Sequence, residues 1–219
     1  MISAVDHGKI SPEQYSRPYS SALAHGINLR LVFDWQLYLQ QPFSLACSDL
    51  KSCCLRIFHS AASLALQRLC IPLPIIISML DIIQSMTHMF RTSYGDSNLT
   101  YGGDTIPEDF RHFMMVLCQG NGSASQIWSV ISSVVFSALR SQSVGIYFSN
   151  SFATEISRLV RFSYVGYCDM VQSYGDIEAT HSQIQLAVSK WRDLIRITGG
   201  CLAPDKSAWY PVYYKCRIG

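Results

Sequence analysis

Charge is scarce in this sequence. Asp, Glu, Lys and Arg make up only 15% of its 219 residues and leave a formal net charge of +2, where roughly a quarter of an ordinary soluble domain is charged. That balance permits nucleic-acid binding without arguing for it: a dedicated binding surface is usually more basic, so a polyanion would be held by a local patch or through a partner segment absent from this chain. Long apolar runs are also missing. The most apolar stretch, Ile71–Ile83, is too short to span a bilayer and contains Asp81, so it reads as a buried helix and no membrane partner is expected. Met1–Ile10 carries Asp6, His7 and Lys9 and lacks the apolar centre of a secretion signal. No internal repeat is visible. No CxxC, HExxH, GxSxG or Walker pattern occurs, which removes the common zinc, serine-hydrolase and P-loop chemistries. Eight cysteines are present, but most sit inside apolar periodic segments, where a reduced thiol behaves as a small hydrophobe. A reduced, intracellular protein of the cytoplasm or nucleus is expected.

What is present is an interleaving of helix and strand signals. Residues 1–16 read as a polar, flexible lead-in and 17–215 as one domain. Helical periodicity covers Ser20–Gln40, with Leu23, Ile27, Leu31, Trp35 and Leu39 on one stripe. Gln41-Pro42 closes it. Phe43–Cys47 reads as a buried strand, with Asp49 just beyond it. Ile57–Leu69 is a second helix with Ala61, Leu64, Ala65 and Leu69 on one face, and Pro72 and Pro74 start a third that runs to about His88. Met89–Tyr94 and Leu99–Tyr101 flank a turn at Gly95-Asp96-Ser97-Asn98. Gly102–Pro107 and Cys118–Ser123 read as loops, Ala124–Gln142 as a helix and Val144–Phe148 as a strand. Leu159–Val165 and Cys168–Tyr174 read as a hairpin around Gly166-Tyr167. A helix at Ala179–Ile197 ends at Gly199-Gly200, and Trp209–Lys215 is a last strand. The fold class expected is α+β, an antiparallel sheet with helices packed on one face.

Four segments, in order, carry a more specific signal. The first is Ser48-Asp49-Leu50-Lys51-Ser52-Cys53-Cys54-Leu55-Arg56-Ile57. The second is Gln119-Gly120-Asn121-Gly122 leading into a helix with Trp128. The third is Tyr164-Val165-Gly166-Tyr167-Cys168-Asp169-Met170. The fourth is Gly199-Gly200-Cys201-Leu202-Ala203-Pro204-Asp205-Lys206-Ser207-Ala208-Trp209-Tyr210. Asn28-Leu29-Arg30-Leu31 and Arg91-Thr92-Ser93-Tyr94-Gly95-Asp96-Ser97 supply matching connectors. Together they resemble the polymerase motifs of retrotransposon-type reverse transcriptases over about residues 10 to 215. The resemblance implies a palm with partial fingers, without thumb, RNase H or endonuclease regions. It also implies an ancestral RNA-directed DNA synthesis using Mg²⁺, an RNA/DNA template-primer and deoxynucleoside triphosphates.

By that resemblance Asp49 is a metal ligand and Lys206 acts near the leaving pyrophosphate. Arg30, Leu50, Cys54, Gln119 and Gly120 fall on nucleotide- or template-binding positions. The family places two aspartates where this chain has Gly166 and Tyr167. Two Mg²⁺ ions about 3.5–4 Å apart stabilise attacking and leaving oxygens in such transfers, and each needs several hard oxygen ligands. Glycine offers no side-chain oxygen, and a tyrosine phenol is neutral near pH 7. Asp169 lies two residues beyond Tyr167, roughly 7 Å along a strand. Leu55 and Cys54 depart further: cysteine is too small for the ring that excludes ribonucleotides in the family. The expectation is a catalytically dead copy with impaired Mg²⁺ binding. The alternative is a non-catalytic nucleic-acid-binding module built on the same fold.

Overall fold

The computed structural model describes residues 10–11, 21–53, 56–101, 123–141, 146–150, 153–158, 161–164, 167–173 and 176–214. The loops expected at 102–107 and 118–122 lie outside them. Of the expected lead-in, residues 10–11 are described, and they are packed: Ile10 is buried in the core and the Ser11 amide donates to Ser133 Oγ at 3.0 Å.

Strand β1 (Phe43–Asp49) lies in the middle of the main sheet. It pairs antiparallel with β7 (Tyr167–Gln172) on one side and with β8 (Ala208–Val212) on the other. β6 (Arg161–Tyr164) pairs with β7, so the order is β6-β7-β1-β8. Side chains along β1 alternate in destination. Ala46, and Leu50 just past the strand, enter the main core, while Phe43 and Leu45 form a smaller cluster with Val32. Both faces are covered, so β1 shows little of the polar alternation of a half-solvated strand.

The helices are α1 (Ala22–Leu39), α2 (His59–Arg68), α3 (Leu73–Ser85), α4 (Ala124–Arg140) and α5 (Ile177–Ile197). Their ends follow local chemistry. Ser21 Oγ caps α1 by accepting from the Ala24 amide at 3.2 Å, and Gln40 leaves the helix in the left-handed region at φ 51. Pro72 and Pro74 open α3, where fixed φ and a missing N–H cost nothing. Asp176 Oδ1 caps α5 by accepting from the Ala179 amide at 2.8 Å, and Glu178 and Arg196 complement the two ends of its dipole. α5 buries Thr180, Ile184, Ala187, Trp191 and Ile195, one stripe at helical spacing. α4 is buried around most of its circumference. Its serines are satisfied within the helix: Ser129, Ser133 and Ser137 each donate to the carbonyl four residues back, at 2.9, 2.6 and 2.8 Å. The Phe136 and Trp191 rings join α4 to α5, stacked at 5.6 Å with 5° between their planes. Among the described residues, no helix is long and apolar enough to cross a membrane.

Several elements differ in detail from the sequence reading. In α1 the apolar stripe expected from periodicity is not the buried one: Val32 and Gln36 are buried, whereas Leu23, Ile27 and Leu31 face solvent. In α2 the buried residues are His59, Ala62, Ala65 and Leu66, and Leu64 is exposed. Alanines on several faces left periodicity unable to choose among them. β2 (His88–Thr92) and β3 (Gly95–Tyr101) turn at Ser93-Tyr94, two residues earlier than expected. Asp96 is not a turn residue: it lies across the ladder from Arg91, which donates to it at 2.7 and 3.1 Å. Gly95 sits at φ 120, which favours glycine there. The strand expected at Val144–Phe148 is β4 (Ile146–Asn150), and it pairs with β5 (Ala153–Arg158), which the sequence reading did not identify.

Two predictions follow from this packing. Trp191→Ala removes a fully buried ring stacked on Phe136, and urea unfolding should show a loss of about 3–5 kcal/mol. The Arg91 guanidinium holds the Asp96 carboxyl below its ordinary value. The pair therefore supports the β2–β3 hairpin above the unfolded carboxylate range of about 3.9. That support is lost as pH falls through the lowered folded value. Carbon-detected NMR should find Asp96 titrating low, and Arg91→Gln should return it towards normal.

Candidate functional site

The C-terminal end of β1 carries Asp49, and two distant segments fasten it. The first is the stretch from Thr198 to Ser207. Ala203 donates its amide to the Asp49 carbonyl at 2.9 Å, Lys51 donates to Cys201 O at 2.8 Å, and Phe58 donates to Thr198 O at 2.9 Å. Leu50 and Leu202 form an isolated bridge between these contacts. Ser207 Oγ accepts weakly from the Asp49 amide at 3.4 Å and donates to Ala203 O at 2.7 Å. The first and fourth sequence motifs are thereby zipped together through backbone groups. Ser207 was missed as a site residue from sequence; the Pro204-Asp205-Lys206 turn just before it was its only signal.

The second fastening is the β1–β7 ladder. Its register sets Asp49 opposite Tyr167, Ser48 opposite Cys168 and Cys47 opposite Asp169. Tyr164 pairs with Tyr167 at the end of the β6–β7 ladder, so residues 165–166 are the only ones between the strands. Gly166 itself lies outside the described residues. The position that holds an aspartate in the resemblance is thus the direct ladder partner of Asp49, with tyrosine there. Asp169 stands two residues further along β7, opposite Cys47.

The Asp49 carboxylate is largely enclosed, with its side chain 21% exposed. Oδ1 accepts from the Leu50 amide at 2.8 Å, and Lys206 Nζ lies 4.0 Å from Oδ2. Lys206 ends the short 3-10 turn Pro204–Lys206, with its side chain 65% exposed. A cation at this distance in partly screened surroundings contributes little to stability, on the order of 0–1 kcal/mol, but it meets the Asp49 carboxylate. A pair of Mg²⁺ ions needs several carboxylate oxygens converging in octahedral sets. Asp49 by itself, half engaged by a backbone amide and faced by an ammonium, does not fit such a pair. Among the described residues, no group of three or more His, Cys, Asp or Glu gathers as a metal site.

Of the remaining site residues the structure describes Leu50, whose amide meets Asp49, and Arg30. The Leu50 side chain is buried among the main core residues. Arg30 lies on the exposed side of α1, where its Nε donates to Asp34 at 3.1 Å. Cys54, Gln119 and Gly120 lie outside the described residues. A separate cleft of about 290 Å³ runs between α5 and β8, lined by Ile184, Val188, Arg192 and Trp209 among others. Trp209 pairs with Ala46, which points into the main core, so this cleft is on the opposite side of the sheet from Asp49.

Gly199 is needed where the two segments meet. Its φ is 91, and an added Cβ would run into the Arg56 carbonyl and the Phe58 ring. Gly199→Ala should therefore destabilise the protein by about 1–3 kcal/mol in urea unfolding, with Gly26→Ala, which has open space around it, as the harmless comparison.

No protein-family model matches the chain, and no curated protein matches it. Solved structures do. Telomerase from Candida tropicalis in complex with a TWJ fragment of telomeric RNA superposes with a TM-score of 0.61 at 12% identity, covering 96% of this chain and 32% of that one. Apo telomerase from Candida tropicalis, truncated from its C-terminal domain, gives 0.55 at 12% identity over 90% of this chain and 36% of that one. The Candida albicans telomerase in complex with a TWJ fragment of telomeric RNA gives 0.52 at 10% identity over 95% and 33%. The chain spans about a third of the length of these structures. At such identities the likeness is one of fold: an α+β, reverse transcriptase-like arrangement.

Proposed function

We propose that this chain is the palm and part of the fingers of a reverse transcriptase-like domain, of retrotransposon descent, that carries out no nucleotidyl transfer. The observation behind this reading is the pairing of Asp49 with Tyr167, in a register that would otherwise juxtapose two carboxylates. Mg²⁺ binding is impaired on this reading: Asp49 alone presents too few oxygens. The fold likeness to telomerases at over nine-tenths of the chain supports the polymerase ancestry.

A second reading is a nucleic-acid-binding module without catalysis. It draws on exposed Lys51, Arg56 and Lys206, which project from the zipped segments around Asp49. Binding would need these cations to act together, in a chain short of charge. Binding through them would weaken steeply with salt as counterions are released.

Primer extension on an RNA template separates the readings from active polymerase. With Mg²⁺ or Mn²⁺ the chain should add no deoxynucleotide above background, and template-dependent incorporation would overturn the proposal. Gly166→Asp with Tyr167→Asp should be required before any incorporation is seen. In the same samples, fluorescence anisotropy of a labelled primer–template duplex at low and moderate salt reports whether the groove still binds.

A further inference from the structure

Helix α1 is apolar on two sides. Val32 and, more loosely, Leu29 and Phe33 pack inward against Phe43 and Leu45. On the far side Leu23, Ile27, Leu31 and Tyr38 are 73%, 52%, 59% and 78% exposed. At 100° per residue these four fall within one quadrant of the helix, which Asp34 shares, and they extend over about four turns. A helix with apolar residues on opposite sides is one that is covered on both.

We propose that this outer face of α1 is a dimer interface, on which a second copy of this chain packs its own α1 antiparallel across a twofold axis near Leu31. Three observations select a second copy. First, the face is self-complementary in shape. Leu23, Ile27 and Leu31 lie on an every-fourth-residue ridge, and the every-third ridges of a facing helix pack beside it at about 20°, shallow enough for contact along the length. Second, it is self-complementary in charge. The only charged side chains of α1 are Arg30 and Asp34, opposite in sign, with Asp34 inside this face and Arg30 at its edge. An antiparallel copy sets each Arg30 within a turn of the other copy's Asp34, as an isologous contact requires. Third, the area suffices. The exposed fractions of the four side chains correspond to roughly 500 Å² per copy, or about 1,000 Å² for the pair, the lower bound for a specific interface. A lipid surface fits poorly, because an interfacial helix flanks its apolar face with several Lys or Arg, and the one Arg here is already engaged by Asp34.

The test is sedimentation equilibrium on the full chain from about 1 to about 100 µM, a range that spans a micromolar dimer. The wild-type chain should be dimeric in the upper part of that range. Leu31→Glu, which alters an exposed position, should be monomeric throughout, with unchanged circular dichroism. Arg30→Asp should weaken the dimer by about tenfold, and adding Asp34→Arg to it should restore most of the loss. A wild-type chain that stays monomeric at the highest concentration overturns the proposal, and so does a dimer that Leu31→Glu leaves intact. The outcome does not depend on whether the domain polymerises nucleotides.

Discussion

Asp49 is held through β1 to Tyr167 on one side, and β1 is held through Cys47 to Ala208 on the other. These partners come from the far end of the chain, so the ladders close long loops before any contact rewards them. Loop closure grows only slowly with length, and the core that β1 brings together offsets it. Ala46, Leu50 and Met170 from the sheet region meet Trp128, Phe136 and Trp191 from the helices in one cluster. The position of every other group at the candidate site follows from that central strand. Lys206 reaches Asp49 because the Thr198–Ser207 segment is hydrogen-bonded to the residues that leave β1.

The electrostatics follow from what the ladder brings to this end of the sheet. A carboxylate that is one-fifth exposed favours a cation or hydrogen-bond donors close by. Here the Leu50 amide serves one oxygen and Lys206 approaches the other. In a two-ion site the same carboxylate would share divalent cations with neighbouring acids. The ladder partner that would supply one is Tyr167, a residue that brings no charge near neutral pH. On the proposed reading, the strand register of a palm is kept here while the charge that nucleotidyl transfer requires is not. Backbone pairing preserves the first without any help from the second.

Sequence reading reached the element types well and their faces poorly, for a physical reason visible in particular residues. The α5 stripe from Thr180 to Ile195 is flanked by polar residues, so its inward face is unambiguous. α1 and α2 have apolar or small residues around much of their circumference, and nothing local distinguishes Val32 from Leu31 or Ala62 from Ala61. Asp96 looked like a turn residue because aspartate favours turns. Its place in β3 is decided by Arg91 across the ladder. β5 went unseen because its Thr-Glu-Ile-Ser pattern is weak alone and becomes a strand by pairing with β4.

From the linear order of residues alone came the α+β class, the central hairpin, the proline-started helix and the glycine-ended one, and the absence of aspartates at 166 and 167. These rest on local rules, in which a residue's neighbours in the chain are its neighbours in space. Tertiary structure alone decided that Tyr167 is the ladder partner of Asp49, that Lys206 comes to that carboxylate, that Leu50 faces the core, and that the Leu23–Ile27–Leu31 stripe is left outside. Each of those facts is a meeting, or a failure to meet, between segments far apart in sequence. Strand register and the competition among apolar faces for one limited core set them, and neither is written in any single stretch of the chain.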